Sequence, residues 1–154
     1  MKNSVPSWWM SREKDIQELL DTRISKGKSE VLATSPGGKE IKAYFYGTEQ
    51  PELRGKANFN SAIGSGNPDN YFKRGPGKRK HPVLMVIAGV HGQEVEGMAA
   101  ALSLISIVET GRDLSGKKQP YLFEKLVNMR LIIVPLANPD GRVRVPYDGW
   151  VGLD

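Results

Sequence analysis

Residues 82–109, PVLMVIAGVHGQEVEGMAAALSLISIVE, change character around one glycine-flanked histidine. From Pro82 to Val90 the run is apolar without interruption, the pattern of a strand buried on both faces. From Glu94 onward the apolar positions fall at helical spacing. Val95, Met98, Leu102, Ile105 and Val108 share one face, and Ala99, Ala100 and Ala101 favour helix. A break follows at Gly111 to Gly116, and residues 121–128 read as another short helix. MRLIIVPL, residues 129–136, reads as a second buried strand. Strand, helix and strand in that order make a βαβ unit, normally parallel and right-handed.

Upstream, SREKDIQELLDTRI, residues 11–24, predicts a helix with Ser11 as N-cap. Glu13 and Asp15 suit its positive end, and Ile16, Leu19, Leu20 and Ile24 form an apolar face. Residues 29–47 predict a β-hairpin around the turn Pro36-Gly37-Gly38-Lys39, whose glycines supply positive φ. Ile41, Ala43 and Phe45 alternate with Lys42, Tyr44 and Tyr46, the period of a half-buried strand. Residues 48–81 are rich in Gly, Pro, Asn and charge, and are too long for an ordinary connection. They read as an inserted surface loop. No phosphate-loop pattern occurs in the chain.

The 154 residues fit a single domain. Cysteine is absent, so disulfides, thiolate metal sites and cysteine nucleophiles are excluded, and any metal must be held by His, Asp or Glu. No apolar run has membrane-spanning length and the N-terminus has no signal-peptide core. A cytoplasmic location is the expectation. The net charge of +5 comes entirely from Lys73, Arg74, Lys78, Arg79 and Lys80 in the long loop. A basic surface loop is the ordinary reading of that cluster. A nucleic-acid binder would spread its cations along a face with base-reading partners.

The candidate chemistry lies where the first buried strand ends. His91 is one residue past that strand, and Glu94 opens the helix. In open α/β sheets ligands gather beyond the carboxyl ends of strands. An imidazole and a carboxylate three residues apart on a tight turn, with Gly89 and Gly92 easing the backbone, can meet at one metal ion. The ordinary alternatives are a carboxylate complementing the helix dipole and a histidine finishing a strand. His81, in the basic loop, reads as a solvated residue.

A second marker stands about 45 residues further on: LIIVPLANPDGR, residues 131–142, an apolar strand ending in Asn138-Pro139-Asp140-Gly141. An apolar strand followed by G-V-H-G-Q-E-x-x-G, then another followed by N-P-D-G, resembles the zinc carboxypeptidases of the carboxypeptidase A-like family. The hairpin with the turn SPGGKEI also fits, so the resemblance spans roughly residues 11–145, with the 48–81 loop departing by length. It implies an α/β fold of three αβα layers around a mixed, largely parallel central sheet. It further implies Zn2+ as cofactor, His91 and Glu94 as two of three zinc ligands, and a peptide substrate cleaved at its C-terminal bond.

The resemblance also implies a third ligand, a histidine, far beyond residue 154. The arginine and Asn-Arg pair that hold the substrate carboxylate and the glutamate general base belong there too. No histidine follows His91, and Arg142 and Arg144 come too soon after the turn to take the family's transition-state role. Residues 1–154 are therefore expected to be the N-terminal part of one such catalytic domain. That part would be inactive alone and prone to self-association through an uncovered sheet edge. A deacylase of the aspartoacylase and succinylglutamate desuccinylase type shares G-x-H-G-x-E-x-x-G; Asp140-Gly141 favours the peptidase. From another class, a non-enzymatic module would use Lys78, Arg79 and Lys80 on nucleic acid or an acidic surface.

Overall fold

A computed structural model describes residues 4–49, 82–145 and 147–150. In chain order these form α1 (Glu13–Arg23), β1 (Lys28–Thr34), β2 (Glu40–Tyr46), β3 (Val83–Ile87), α2 (Val95–Thr110), α3 (Pro120–Val127), β4 (Arg130–Val134) and α4 (Pro139–Val143). The inserted basic loop, with His81 and its lysines and arginines, lies outside the described residues.

The strands build one sheet in the order β1-β2-β4-β3. β3 runs parallel to β4, with Val83 opposite Arg130 and Ile87 opposite Val134, as the strand–helix–strand pattern predicts. β1 pairs with β2, and β2 with β4, in antiparallel fashion. The sheet is mixed as expected. It is not largely parallel among the described residues, because the hairpin and its junction to β4 supply two of the three pairings.

Alternation decides which face each strand buries. On β4, Leu131 and Ile133 are buried; on β2 it is Tyr44 and Tyr46 that enter the same core. Helices α1, α2 and α3 cover this face, contributing Ile16, Leu19, Leu20, Met98, Leu102, Ile105 and Leu126. The apolar stripe read for α2 is buried throughout, from Val95 to Val108. Burying one such leucine or isoleucine stabilises by roughly 2–3 kcal/mol.

Two sequence expectations are corrected here. Ser11 does not cap α1: the N-cap is Arg12, with no side-chain cap hydrogen bond, and Ser11 is itself buried. The helix simply begins one residue later than its polar lead-in suggests. β3 is not buried on both faces. It is the sheet's edge among the described residues, and Val83, Met85 and Ile87 are each about half exposed. Apolar composition records what a strand tolerates, not whether anything covers it. No helix among the described residues is long and apolar enough to cross a membrane.

Candidate metal site

The parallel β3–β4 ladder continues past both strands. Ala88 N–H donates to Val134 O at 2.8 Å, Ala137 N–H to Ala88 O at 2.9 Å, and Asn138 N–H to Gly89 O at 2.9 Å. The two strand ends are thereby locked in register, and so are the motifs that follow them. Gly89 then turns the chain with φ of 64°, a conformation that side-chain-bearing residues rarely adopt. The turn over 91–94 closes with Glu94 N–H donating to His91 O at 3.2 Å, and α2 starts at Val95.

Glu94 is thus the N-cap position of α2 rather than part of its first turn, and its side chain makes no capping bond. That leaves the carboxylate free to face sideways. Its Oε1 lies 3.0 Å from Nδ1 of His91. The two side chains remain 66% and 63% exposed, so both keep open lone-pair directions toward solvent. The structure brings together the two residues singled out in the sequence, at the carboxyl end of β3.

The N-P-D-G turn forms the base of this site. Asn138 Oδ1 accepts from Gly141 N–H at 2.8 Å, closing the first turn of α4, while its Nδ2 donates to Val90 O at 3.1 Å, next to His91. Asp140 reaches the other way, accepting from Ser35 Oγ at 3.0 Å and Gly37 N–H at 2.8 Å, which fastens the β1–β2 turn. Gly92 lies directly on Gly141: a Cβ at Gly92 would stand 2.1 Å from the Gly141 carbonyl carbon. The second glycine of the histidine motif is therefore required by contact, not by an unusual dihedral. The two motifs, distant in sequence, are one interlocked unit.

Arg142 completes it. This guanidinium is buried, 4% exposed, and Nη1 donates to Gly92 O at 2.7 Å. Nη2 donates to Val145 O at 2.7 Å and also to Tyr147 O. Burial lowers its pKa from the usual guanidinium value, with Asp148 acting in the opposite direction. Nearby, Trp9 Nε1 donates to Asp148 O at 2.7 Å, and Trp8, Trp9 and Trp150 pack edge-on with centroids 5.2–6.0 Å apart. Nothing in the residue types around Arg142 signals this hold on Gly92, which lies 50 residues away.

An imidazole nitrogen and a carboxylate oxygen 3.0 Å apart suit zinc in kind. In number they fall short: among the described residues no three His, Asp or Glu side chains form a group able to hold a metal. The donor set fits as a pair that further donors must complete.

The chain matches the family model described as "Zinc carboxypeptidase" over residues 15–149, a span that includes the hairpin, the histidine turn and the N-P-D-G turn. A search of curated proteins finds no significant match.

Proposed function

The chain belongs to the zinc carboxypeptidase family, and from that premise we propose that His91 and Glu94 are two protein ligands of a peptidase zinc site. The peptidase is of the hydrolase class and cleaves the C-terminal amide bond of a peptide. The observation that carries this reading is the 3.0 Å approach of His91 Nδ1 to Glu94 Oε1 at the carboxyl end of a strand in the matched segment. The chemistry that zinc supplies when bound is polarisation of a carbonyl and a water of lowered pKa.

The chain's own part is positional. His91 and Glu94 present two donors, and the Asn138 and Arg142 contacts fix the turn that carries them. A catalytic zinc takes three protein ligands and an open position. The third ligand, the groups that hold the substrate carboxylate and the general base are proposed to come from outside the described residues, completing a three-layer domain of which residues 1–154 form the N-terminal part. On that reading residues 1–154 bind zinc weakly and do not turn over peptides. Asp140 spends both carboxylate oxygens on the hairpin turn. This gives the Asp of N-P-D-G a structural task, and the family match is what supports the peptidase reading over the deacylase.

The test is a Zn2+ titration read by chelator competition, with assays for C-terminal amino-acid release and for deacylation of N-acyl amino acids alongside. Weak zinc binding by the wild type that is lost from the His91→Ala, Glu94→Ala double variant, with neither activity present, is the expected result. Equal zinc in both sinks the ligand assignment, and deacylation without peptide cleavage transfers the chain to the deacylase reading.

A further inference from the structure

We propose that Arg142 is a positioning residue for the metal pair, acting through the carbonyl of Gly92; this rests on reading His91 and Glu94 as zinc ligands. Gly92 sits between those two residues, and its carbonyl receives a 2.7 Å hydrogen bond from Arg142 Nη1. The same guanidinium binds the carbonyls of Val145 and Tyr147 through Nη2. Three backbone carbonyls from two separate loops are thus gathered on one planar fork. No carboxylate within ion-pair distance of Arg142 is found among the described residues, although the side chain is almost wholly enclosed.

A buried guanidinium that feels the charge of Asp148 but forms no ion pair among the described residues is costly, and an apolar side chain of similar volume fills space more cheaply. What an apolar residue cannot do is fix a carbonyl's direction. The backbone of the turn over 91–94 otherwise has one internal hydrogen bond, the 3.2 Å contact from Glu94 N–H to His91 O, beside the side-chain contact of His91 with Glu94. Gly92 has no side chain to anchor it, and its Cα rests against Gly141 and the Arg142 backbone. Rotation of the Gly92 peptide would swing His91 and Glu94 relative to each other. Arg142 blocks that rotation from beneath, and because it also grips 145 and 147 it ties the turn to the segment beside the start of α2. Lysine, with a point charge on a flexible stem, reaches one carbonyl but does not hold all three in a plane.

The experiment is a chelator competition for Zn2+ on the full chain, with Co2+ absorption as a second readout of ligand geometry. It compares wild type, Arg142→Lys, Arg142→Gln and the His91→Ala, Glu94→Ala double variant. Glu109→Gln serves as a control that loses stability at the far end of α2. The expected result is a loss of zinc affinity of about tenfold in Arg142→Lys and more in Arg142→Gln, as for residues that orient metal ligands. An altered Co2+ spectrum accompanies it in both, while Glu109→Gln binds both metals as the wild type does. If Arg142→Lys keeps wild-type affinity and spectrum, the proposal falls and the ligand reading stands. If the control loses affinity as Arg142→Lys does, the effect is general destabilisation and the proposal also falls. If wild type binds no better than the double variant, the ligand reading itself fails and takes this proposal with it. Arg142→Lys retains charge and most of the volume, so it is the variant expected to fold where Arg142→Gln does not.

Discussion

Helix α2 has a carboxylate at each end, and the two live in opposite surroundings. Glu109, in the last turn, is 6% exposed and saturated. Its Oε1 accepts from Gly27 N–H at 3.1 Å and Tyr46 OH at 3.0 Å, and its Oε2 from Ser25 N–H at 3.2 Å, Ser25 Oγ at 2.9 Å and Lys26 N–H at 3.0 Å. Glu94, at the start, is mostly exposed and faces one imidazole. Helix dipoles favour a carboxylate at the first position and disfavour it at the last. The fold has placed its buried carboxylate at the unfavourable end and surrounded it with donors from the α1–β1 connection. A carboxylate whose lone pairs are all taken holds structure; one with lone pairs to spare is available to a ligand.

The largest expected effect comes from exchanging the two ends. Glu109→Ala takes the acceptor from the buried Tyr46 hydroxyl and from the N–H groups of Ser25, Lys26 and Gly27, of which Ser25 and Lys26 are exposed. The expected cost is about 4 kcal/mol, or on the order of 10 °C in Tm, with zinc binding unchanged. The His91→Ala, Glu94→Ala double variant should do the reverse, losing zinc while its Tm stays within about 2 °C. Calorimetry and metal titration on both variants check the pair. A Glu109 variant that folds normally but fails to bind zinc would abolish the division between the ends.

The division should also show in pH dependence. Burial alone would raise the Glu109 pKa, but hydrogen bonds from Lys26 N–H, Ser25, Gly27 N–H and Tyr46 outweigh it and hold the group below its ordinary value. Tyr46, raised above the ordinary tyrosine range chiefly by burial and then by Glu109, stays protonated and keeps donating. A carboxyl depressed in the folded state stabilises fully above its unfolded pKa, and that contribution disappears as pH falls through the folded pKa. Glu109→Gln should therefore cost about 2 kcal/mol at pH 7. The gap to wild type should hold steady down to about pH 5 and close below about pH 4.5, measured by urea unfolding. A gap that widens on acidification would show that Glu109 is not ionised in the folded protein.

A parallel contrast separates β4, paired on both edges, from β3, paired on one among the described residues. Val83, Met85 and Ile87 are about half exposed on an apolar strand whose outer edge has no strand partner among the described residues, the geometry that invites another strand. Sedimentation velocity over a concentration series is expected to show association by the wild type. Met85→Lys should shift it toward monomer at a stability change below about 1 kcal/mol. A wild type that remains monomeric throughout would mean the edge is not an association surface.

What the sequence revealed follows the same line between local and distant causes. The buried stripe of α2, from Val95 to Val108, was legible because helical period and burial are both local. The approach of His91 to Glu94 was legible because three residues across a helix start leave few geometries. The exposure of β3 was not, since Val83 to Ile87 would read identically with or without a neighbour on the outer edge. Nor was the burial of Tyr44 and Tyr46, which depends on where α1 and α2 land. Arg142 was the least legible. Its partner Gly92 is 50 residues away, and a carbonyl acceptor leaves no signature in residue type.

The smallest effect is the one that tests the comparison most finely. Glu94→Gln keeps the side chain's size and removes its charge. Glu94 caps no backbone N–H, and its only side-chain hydrogen bond among the described residues is to His91, so folding loses little more than the attraction between a charge and the helix start. That attraction is worth about 0.5 kcal/mol at an exposed position and weakens with salt, so Tm should drop by on the order of 1–2 °C in dilute buffer and less at high ionic strength. Zinc affinity should fall at least about tenfold in the same sample, because an amide oxygen is a poorer zinc donor than a carboxylate. The ratio of the two effects carries the meaning. A residue that holds the fold loses stability first and binding as a consequence; one kept for a ligand loses binding with stability nearly intact. If Glu94→Gln melts as early as Glu109→Gln, the charge at the start of α2 is as structural as the one at its end, and His91 is its partner rather than its co-ligand.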